Sequence, residues 1–387
     1  MMYKVPFVNY PEHYRRIWDE VMGAITEALT KGDLVLRGQL RQFEQDVASF
    51  IGTKYAVGVN SGTDAQFLSL KAIGIGPGDE VITVAHTFVS TVAGIIHNGA
   101  TPVLVDVGDD MNIDGEQLEQ VISPRTKAII PVHLNGRMCD MGRLMEIAAE
   151  HDLSVIEDAA QALGAKFDGK KAGSFGLTSF FSFYPAKMLG AAGDAGLVAT
   201  SDEEIAEKIR LLRDHGQQRA TGDILFYGFN SRLDNVKAAI LDVKLKHLPE
   251  WIERRRELAS LYHKGLSDLQ ELTLPPPPQS NSRFFDVYQN YVIRCKERDK
   301  LIAHLRESGI EILISWPKPM HHHEALGLKH FHLPKTEQLS NEVLSLPMYP
   351  ELSDEQVEYV IETISISIRV RYEARIKIRL QTMAKIL

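Results

Sequence analysis

The segment SFYPAKMLGAAGDAG, Ser182 to Gly196, holds one lysine, Lys187, among small residues. The segment VIEDAAQA, Val155 to Ala162, closes an apolar run on the carboxylate Asp158, with Gln161 in the next turn. An amine in such a turn can condense with an aldehyde to an imine. A buried acid can hold a pyridine nitrogen protonated, because opposite charges pair strongly away from water. Pyridoxal phosphate needs both, since it withdraws electrons only while its ring nitrogen stays protonated. Taken singly, Lys187 also reads as a solvated loop lysine, and Asp158 as a helix cap or turn residue.

A third element narrows the choice. In VGVNSGTDAQFLSL, Val57 to Leu70, a short apolar strand runs into Asn60-Ser61-Gly62-Thr63. Phe67, Leu68, Ala72 and Ile73 then recur at helical spacing. Gly62 allows close backbone approach, Thr63 offers a hydroxyl, and a helix N-terminus favours a phosphate. Asp64 argues for an ordinary capped helix instead, because a carboxylate repels a phosphate unless it points away.

These residues need a frame. Candidate strands are Ala56–Val59, Glu80–Val84, Pro102–Val105, Ala128–Val132, Ser154–Glu157, Thr178–Phe183 and Leu197–Ala199. Helical segments separate the first five, so the expected fold is α/β: a mainly parallel seven-stranded sheet with helices on both faces. Ligands of such sheets collect at strand C-terminal ends, where Asn60, Asp158 and Lys187 all fall. Amphipathic helices are expected at Tyr14 to Thr30 and Gln39 to Phe50, with longer ones at Glu203 to Asp214, Leu233 to His247 and Trp251 to Ser267. Pro275–Pro278 reads as a stiff connector. Beyond it come a β-rich run at Val287–Cys295, a helix near Asp299–Ser308, a strand at Ile310–Ile314 and a helix near Asp354–Ile364. We expect a large domain over residues 1–250, a smaller α+β domain over 251–365, and a basic tail over 366–387. The tail, with Arg369, Arg371, Arg375, Lys377 and Arg379, suits neither a strand nor a helix well.

Composition excludes several classes. A net charge of −8 over 387 residues argues against a dedicated nucleic-acid partner. Two cysteines, Cys139 and Cys295, imply no disulfide framework and fit a reducing compartment. The start, MMYKVPFVNY, lacks a signal-peptide core, and no apolar run approaches a membrane span, so a cytoplasmic location is expected. His321-His322-His323-Glu324 invites a metal reading, but adjacent histidines point in different directions and no metal is expected.

In order along the chain, these motifs resemble the DegT/DnrJ/StrS family of nucleotide-sugar aminotransferases, fold type I pyridoxal-phosphate enzymes. The resemblance spans Val35 to Ile364 and rests on FEQDVASFIGTKYAVGVNSGTDA, GPGDEVITVAHTFVST, IEDAAQALGA, the lysine segment, and DHGQ followed by GFNSRLDNVKAAIL. It implies that Lys187 forms the imine and acts as proton-transfer base. Asp158 would bind the pyridine nitrogen, Gln161 the ring hydroxyl, and Phe88 the ring face. Gly62, Thr63 and Ser182 would bind the phosphate, and Asn230 would reach it across the interface of a homodimer with shared active sites. It further implies L-glutamate as amino donor, 2-oxoglutarate as its product and a keto nucleotide sugar as acceptor. Gly193-Asp194-Ala195-Gly196 resembles members acting on 3-keto rather than 4-keto sugars.

The sugar side departs from the family pattern. Ser315 and Trp316 stand where His-Tyr is usual, Asn135 and Arg137 where Tyr and Gln are common, and Leu163 where His is. Trp316, Lys318 and His321 are the candidate sugar residues. A related deoxygenase class carries His in place of the lysine, so Lys187 argues against it. A PLP-binding sensor without turnover is the competing reading from outside enzymes.

Overall fold

The computed structural model describes residues 3–279 and 282–383. Its strands run in chain order as β1 (Tyr55–Val59), β2 (Glu80–Val84), β3 (Thr101–Val105), β4 (Thr126–Ile129), β5 (Ser154–Asp158), β6 (Lys166–Phe167), β7 (Lys170–Lys171), β8 (Thr178–Ser182) and β9 (Gly196–Thr200). After them come β10 (Leu272–Thr273), β11 (Phe284–Phe285), β12 (Tyr291–Cys295) and β13 (Val343–Leu346). Seven strands form one sheet in the order β1-β9-β8-β5-β4-β2-β3. The pairings β8-β5, β5-β4, β4-β2 and β2-β3 are parallel, and β9 runs antiparallel to both its neighbours.

Successive residues of a strand face opposite sides, and the two sides of this sheet build different cores. Ala56, Ile82, Ile129, Val155, Phe181 and Leu197 join one core, with the helices Gly38–Ile51, Met141–Glu150 and the first part of Asn235–Leu266. Their neighbours Val57, Val81, Ala128, Ile156, Phe180 and Val198 join the other, with the helices Gly62–Ala72 and Glu203–Leu212. Coverage on both faces explains why EVITV and GLVAT are apolar without alternation and wholly buried.

A third core surrounds the three-stranded sheet β10-β12-β13, against the helices Arg298–Glu307 and Asp354–Met383. Val5 belongs to it and bridges to Ile310. The expected division at residue 250 falls inside the helix Asn235–Leu266. That helix serves the first core as far as Ile252 and the third from Leu258 onward.

Several expected elements differ. Leu233 to His247 and Trp251 to Ser267 form one helix with Pro249 inside it. Proline forfeits a backbone hydrogen bond there, but buried Leu248, Trp251 and Ile252 hold both halves against the core. The helix expected from Tyr14 is two helices, Tyr10–Arg16 and Trp18–Thr30, broken at Ile17. Ile310–Ile314 forms only isolated bridges, to Val5 and to Ser345, and the third strand of that sheet is β13. The last helix continues to Met383, so residues 366–383 of the expected tail are helical although their pattern suited a helix poorly, while residues 384–387 lie outside the described residues. Among the described residues, no helix is long and apolar enough to cross a membrane.

Candidate active site

Asp158 ends β5, Ser182 ends β8, and β1 leads through Ser61 into the helix Gly62–Ala72. The three ends meet at one edge of the sheet. Between them lies a cavity of about 490 Å³ lined by Gly62, Thr63, Thr87, Phe88, His133, Asp158, Gln161, Ser182, Tyr184, Lys187 and Asp194, among others. Seven of the residues singled out in the sequence therefore share one space. Asn230 is the exception: it is exposed and does not line the cavity of its own chain.

Asp158 is buried, and each of its oxygens accepts one hydrogen bond. Thr91 Oγ1 donates to Oδ2 at 2.8 Å and the Ala160 N–H donates to Oδ1 at 3.2 Å. Burial raises its carboxyl pKa, while Thr91, Ala160 and the charge of Lys187 pull it back. Thr87 Oγ1 lies 2.9 Å from Thr91 Oγ1 and extends the chain of hydroxyls. Burial lowers the pKa of the Lys187 ammonium, and Asp158 opposes that shift. Gln161 Oε1 accepts from the Asn135 N–H at 2.8 Å, which leaves the NH₂ group of Gln161 as its free donor. Asn135 meets that demand from a left-handed conformation, φ 58°.

At the helix start, the Asp64 N–H donates to Ser61 Oγ and the Ala65 N–H to the Ser61 carbonyl. The N–H groups of Gly62 and Thr63 are the ones left for an anion. A Cβ on Gly62 would lie 2.7 Å from Ser182 Cβ, so a side chain there would fill the cradle. Asp64 is not a lining residue; its Oδ2 accepts from Ser231 Oγ at 2.6 Å, which removes the objection its charge raised.

Thr91 and a buried pair behind it are not evident from the motifs. Glu157 accepts from the N–H groups of Gly173, Phe175 and Gly176, and pairs with His133 Nε2 at 3.0 Å. His133 Nδ1 accepts from the Cys139 N–H, so the ring carries its proton on Nε2. Thr87 and Thr91, four residues apart in HTFVST around a helix start, were the readable signal.

The candidate sugar residues separate. Trp316 and Lys318 line a second cavity of about 450 Å³, which shares Thr87 and Phe88 with the first. The backbone at Trp316 is left-handed, φ 53°, and its ring meets His86 edge-on at 5.5 Å. Burial pushes the His86 imidazole down to about 4. His321 is buried, lines neither cavity, and lies beside Glu337. Arg137 is engaged within the protein: it donates to Asp286 at 2.8 Å and stacks 3.9 Å from the Phe284 ring.

The model of the DegT/DnrJ/EryC1/StrS aminotransferase family matches residues 16–365. A pleiotropic regulatory protein of Geobacillus stearothermophilus is 42% identical over 365 residues, 93% of this chain and 98% of that protein. A UDP-N-acetyl-3-dehydro-alpha-D-glucosamine 3-aminotransferase of Acidithiobacillus ferrooxidans is also 42% identical over 365 residues, covering 93% of this chain and 97% of that protein. The crystal structure of S. venezuelae DesV in complex with a ketimine intermediate superimposes with a TM-score of 0.91 at 39% identity, covering 95% of this chain and 99% of that one. The chain belongs to the DegT/DnrJ/EryC1/StrS aminotransferase family.

Proposed function

We propose that this family member is a pyridoxal-phosphate enzyme that moves an amino group from L-glutamate to a 3-keto nucleotide sugar. The observation that carries the reading is the meeting of Lys187, Asp158, Gln161 and the Gly62-Thr63-Ser182 cradle in one cavity. The donor set fits the cofactor group by group: an amine, a buried carboxylate, an amide donor and a helix N-terminus that a Cβ would fill. The bound cofactor supplies an electron sink for the carbon that loses its proton.

The chain's residues do the rest. Asp158, kept ionised by Thr91 and Ala160, pairs with the pyridine nitrogen and holds its proton. The Gln161 NH₂ group donates to the ring hydroxyl, and Phe88 covers a ring face. The Gly62 and Thr63 N–H groups and the Ser182 hydroxyl take the phosphate. Lys187 Nζ would hold the cofactor, and its amine, whose neutral form burial favours, would serve as the base that accepts and returns the proton in the transfer. Donor and acceptor use one site in turn, so ping-pong kinetics follow. Trp316 and Lys318, in the adjoining cavity, face the sugar nucleotide, and Asn230 serves the site of a second copy.

The Acidithiobacillus relative, named for amination at carbon 3, and the Gly193-Asp194-Ala195-Gly196 segment support the 3-keto choice over a 4-keto one. The Geobacillus relative, named a regulator, supports a second reading as a cofactor-binding sensor. One experiment separates them: the absorbance of the purified holoprotein before and after L-glutamate, with 2-oxoglutarate assayed. Bleaching of the yellow band with release of 2-oxoglutarate supports the enzyme, and 3-keto and 4-keto nucleotide sugars are then compared as acceptors. A yellow protein inert to glutamate and other amino donors supports the sensor. A protein that takes up no cofactor removes both readings.

A further inference from the structure

Away from the cavity, one carboxylate gathers imidazoles from two segments. Glu337 lies in the first turn of the helix Pro334–Glu342, and its Oε1 is 3.3 Å from His321 Nε2, 3.6 Å from His322 Nε2 and 3.8 Å from His332 Nδ1. The ligand atoms of His321, His322 and Glu337 all fall within 4.8 Å of one another. Charge-assisted N–H···O bonds are shorter, about 2.7–2.9 Å. Ligands on a tetrahedral zinc ion, with bonds of about 2.0–2.1 Å, stand about 3.3–3.4 Å apart. The 3.3 Å between His321 Nε2 and Glu337 Oε1 equals that edge and His322 stands slightly beyond it, while the same oxygen also accepts from the Leu333 N–H at 3.4 Å.

The surroundings suit a cation. His321 is buried beside the Glu337 carboxylate. His322 and His332 are exposed and leave a route for an ion. The nearby lysines are occupied elsewhere, Lys329 on Glu324 and Lys335 on Asp109, so neither neutralises Glu337 by contact. Imidazole nitrogens with one carboxylate select zinc-like ions over magnesium or calcium, which take oxygen ligands.

We infer that His321, His322 and Glu337 form a zinc site that clips the turn Met320–His322 to the helix Pro334–Glu342. Met320 also lines the second cavity with Trp316 and Lys318, so the ion would stiffen that wall from behind. Adjacent histidines do diverge in general; here the fold brings one carboxylate to two of them.

The test uses untagged full-length protein, stripped with a chelator, loaded with Zn²⁺, dialysed against metal-free buffer and analysed by elemental mass spectrometry. Competition with a chromogenic zinc chelator gives the affinity, and neither readout depends on cofactor or turnover. We expect one zinc per chain with a dissociation constant of about 1 μM or tighter. Glu337→Gln and His322→Gln, checked for native circular dichroism, should each weaken binding by at least roughly tenfold. His323→Ala should bind as the parent does. Zinc far below one per chain, or undiminished binding by Glu337→Gln, overturns the site. Loss of binding in His323→Ala assigns the ion to the exposed histidine run, and overturns it as well.

Discussion

Burial pushes the pKa values of Lys187 and Asp158 toward each other: the amine down, the acid up. If Lys187 carries the proton, Lys187→Ala should lower turnover by about 10²-fold or more, read as 2-oxoglutarate formed from glutamate. Retained turnover would detach the lysine from the reaction. Asp158 must stay ionised against its own desolvation, and Thr91 is the side chain that donates to it. Thr91→Val removes a hydrogen bond to a charged acceptor, worth about 1.5–3 kcal/mol. The carboxyl pKa then rises further, and the carboxylate is lost at a higher pH than in the parent. We expect the acid limb of the kcat/KM profile to move up by about one to two pH units. An unmoved limb would mean that Thr91 does not tune Asp158.

At the scale of elements, the turn that carries Lys187 is held by its own backbone. The Lys187 N–H donates to the Tyr184 carbonyl, and the Ala191 N–H returns to the Phe183 carbonyl, both at 2.8 Å. Gly190 closes the turn so tightly that a Cβ would collide with the Pro185 carbonyl oxygen. Because that obstacle is backbone, Gly190→Ala must open the turn rather than rotate a side chain. The variant should bind pyridoxal phosphate more weakly than the parent, measured by titration of the cofactor band against the apoprotein. Parent-like affinity would show that the turn has slack. Elements also mark where local sequence reading failed. The sequence reads as two helices, Leu233 to His247 and Trp251 to Ser267, yet burial of Leu248, Trp251 and Ile252 outweighs the hydrogen bond missing at Pro249. Ile310–Ile314 has the residues of a strand, but its neighbours offer only isolated bridges.

Over the whole molecule, the cofactor cavity lies at a sheet edge, with Asn230 exposed outside it. If Asn230 completes the site of a second copy, Lys187→Ala and Asn230→Ala chains mixed after reversible dissociation should regain activity that neither has alone. Random pairing gives one intact site in half of the dimers, about a quarter of parental activity. No recovery would confine Asn230 to its own chain. Global stability carries a further signature. Lys244 is buried with its Nζ on the Gly190 carbonyl, and burial lowers its pKa from 10.5 to about 8. Between those values the unfolded chain binds the proton that the folded chain has released, so this group makes stability rise with pH across that window. Thermal melts of Lys244→Met should lose the rise, and an unchanged slope would show that the lysine is solvated.

The sequence by itself determined the strands of the main sheet, their burial on two faces, and that Lys187, Asp158, Gln161 and the Gly62-Thr63 turn follow strand ends that share one cavity. Those features are local: apolar runs of strand length, turn residues at strand ends, and reactive groups within a few residues of them. The partners of those groups come from elsewhere in the chain. Thr91 reaches Asp158 from the helix Val89–His97, the Asn135 N–H fixes Gln161, Ser231 draws Asp64 away from the cradle, and Glu337 meets His321 and His322 across a loop. Periodicity records which face of an element is buried. Which polar atom meets which depends on how elements cross in space, and only the tertiary structure decided that.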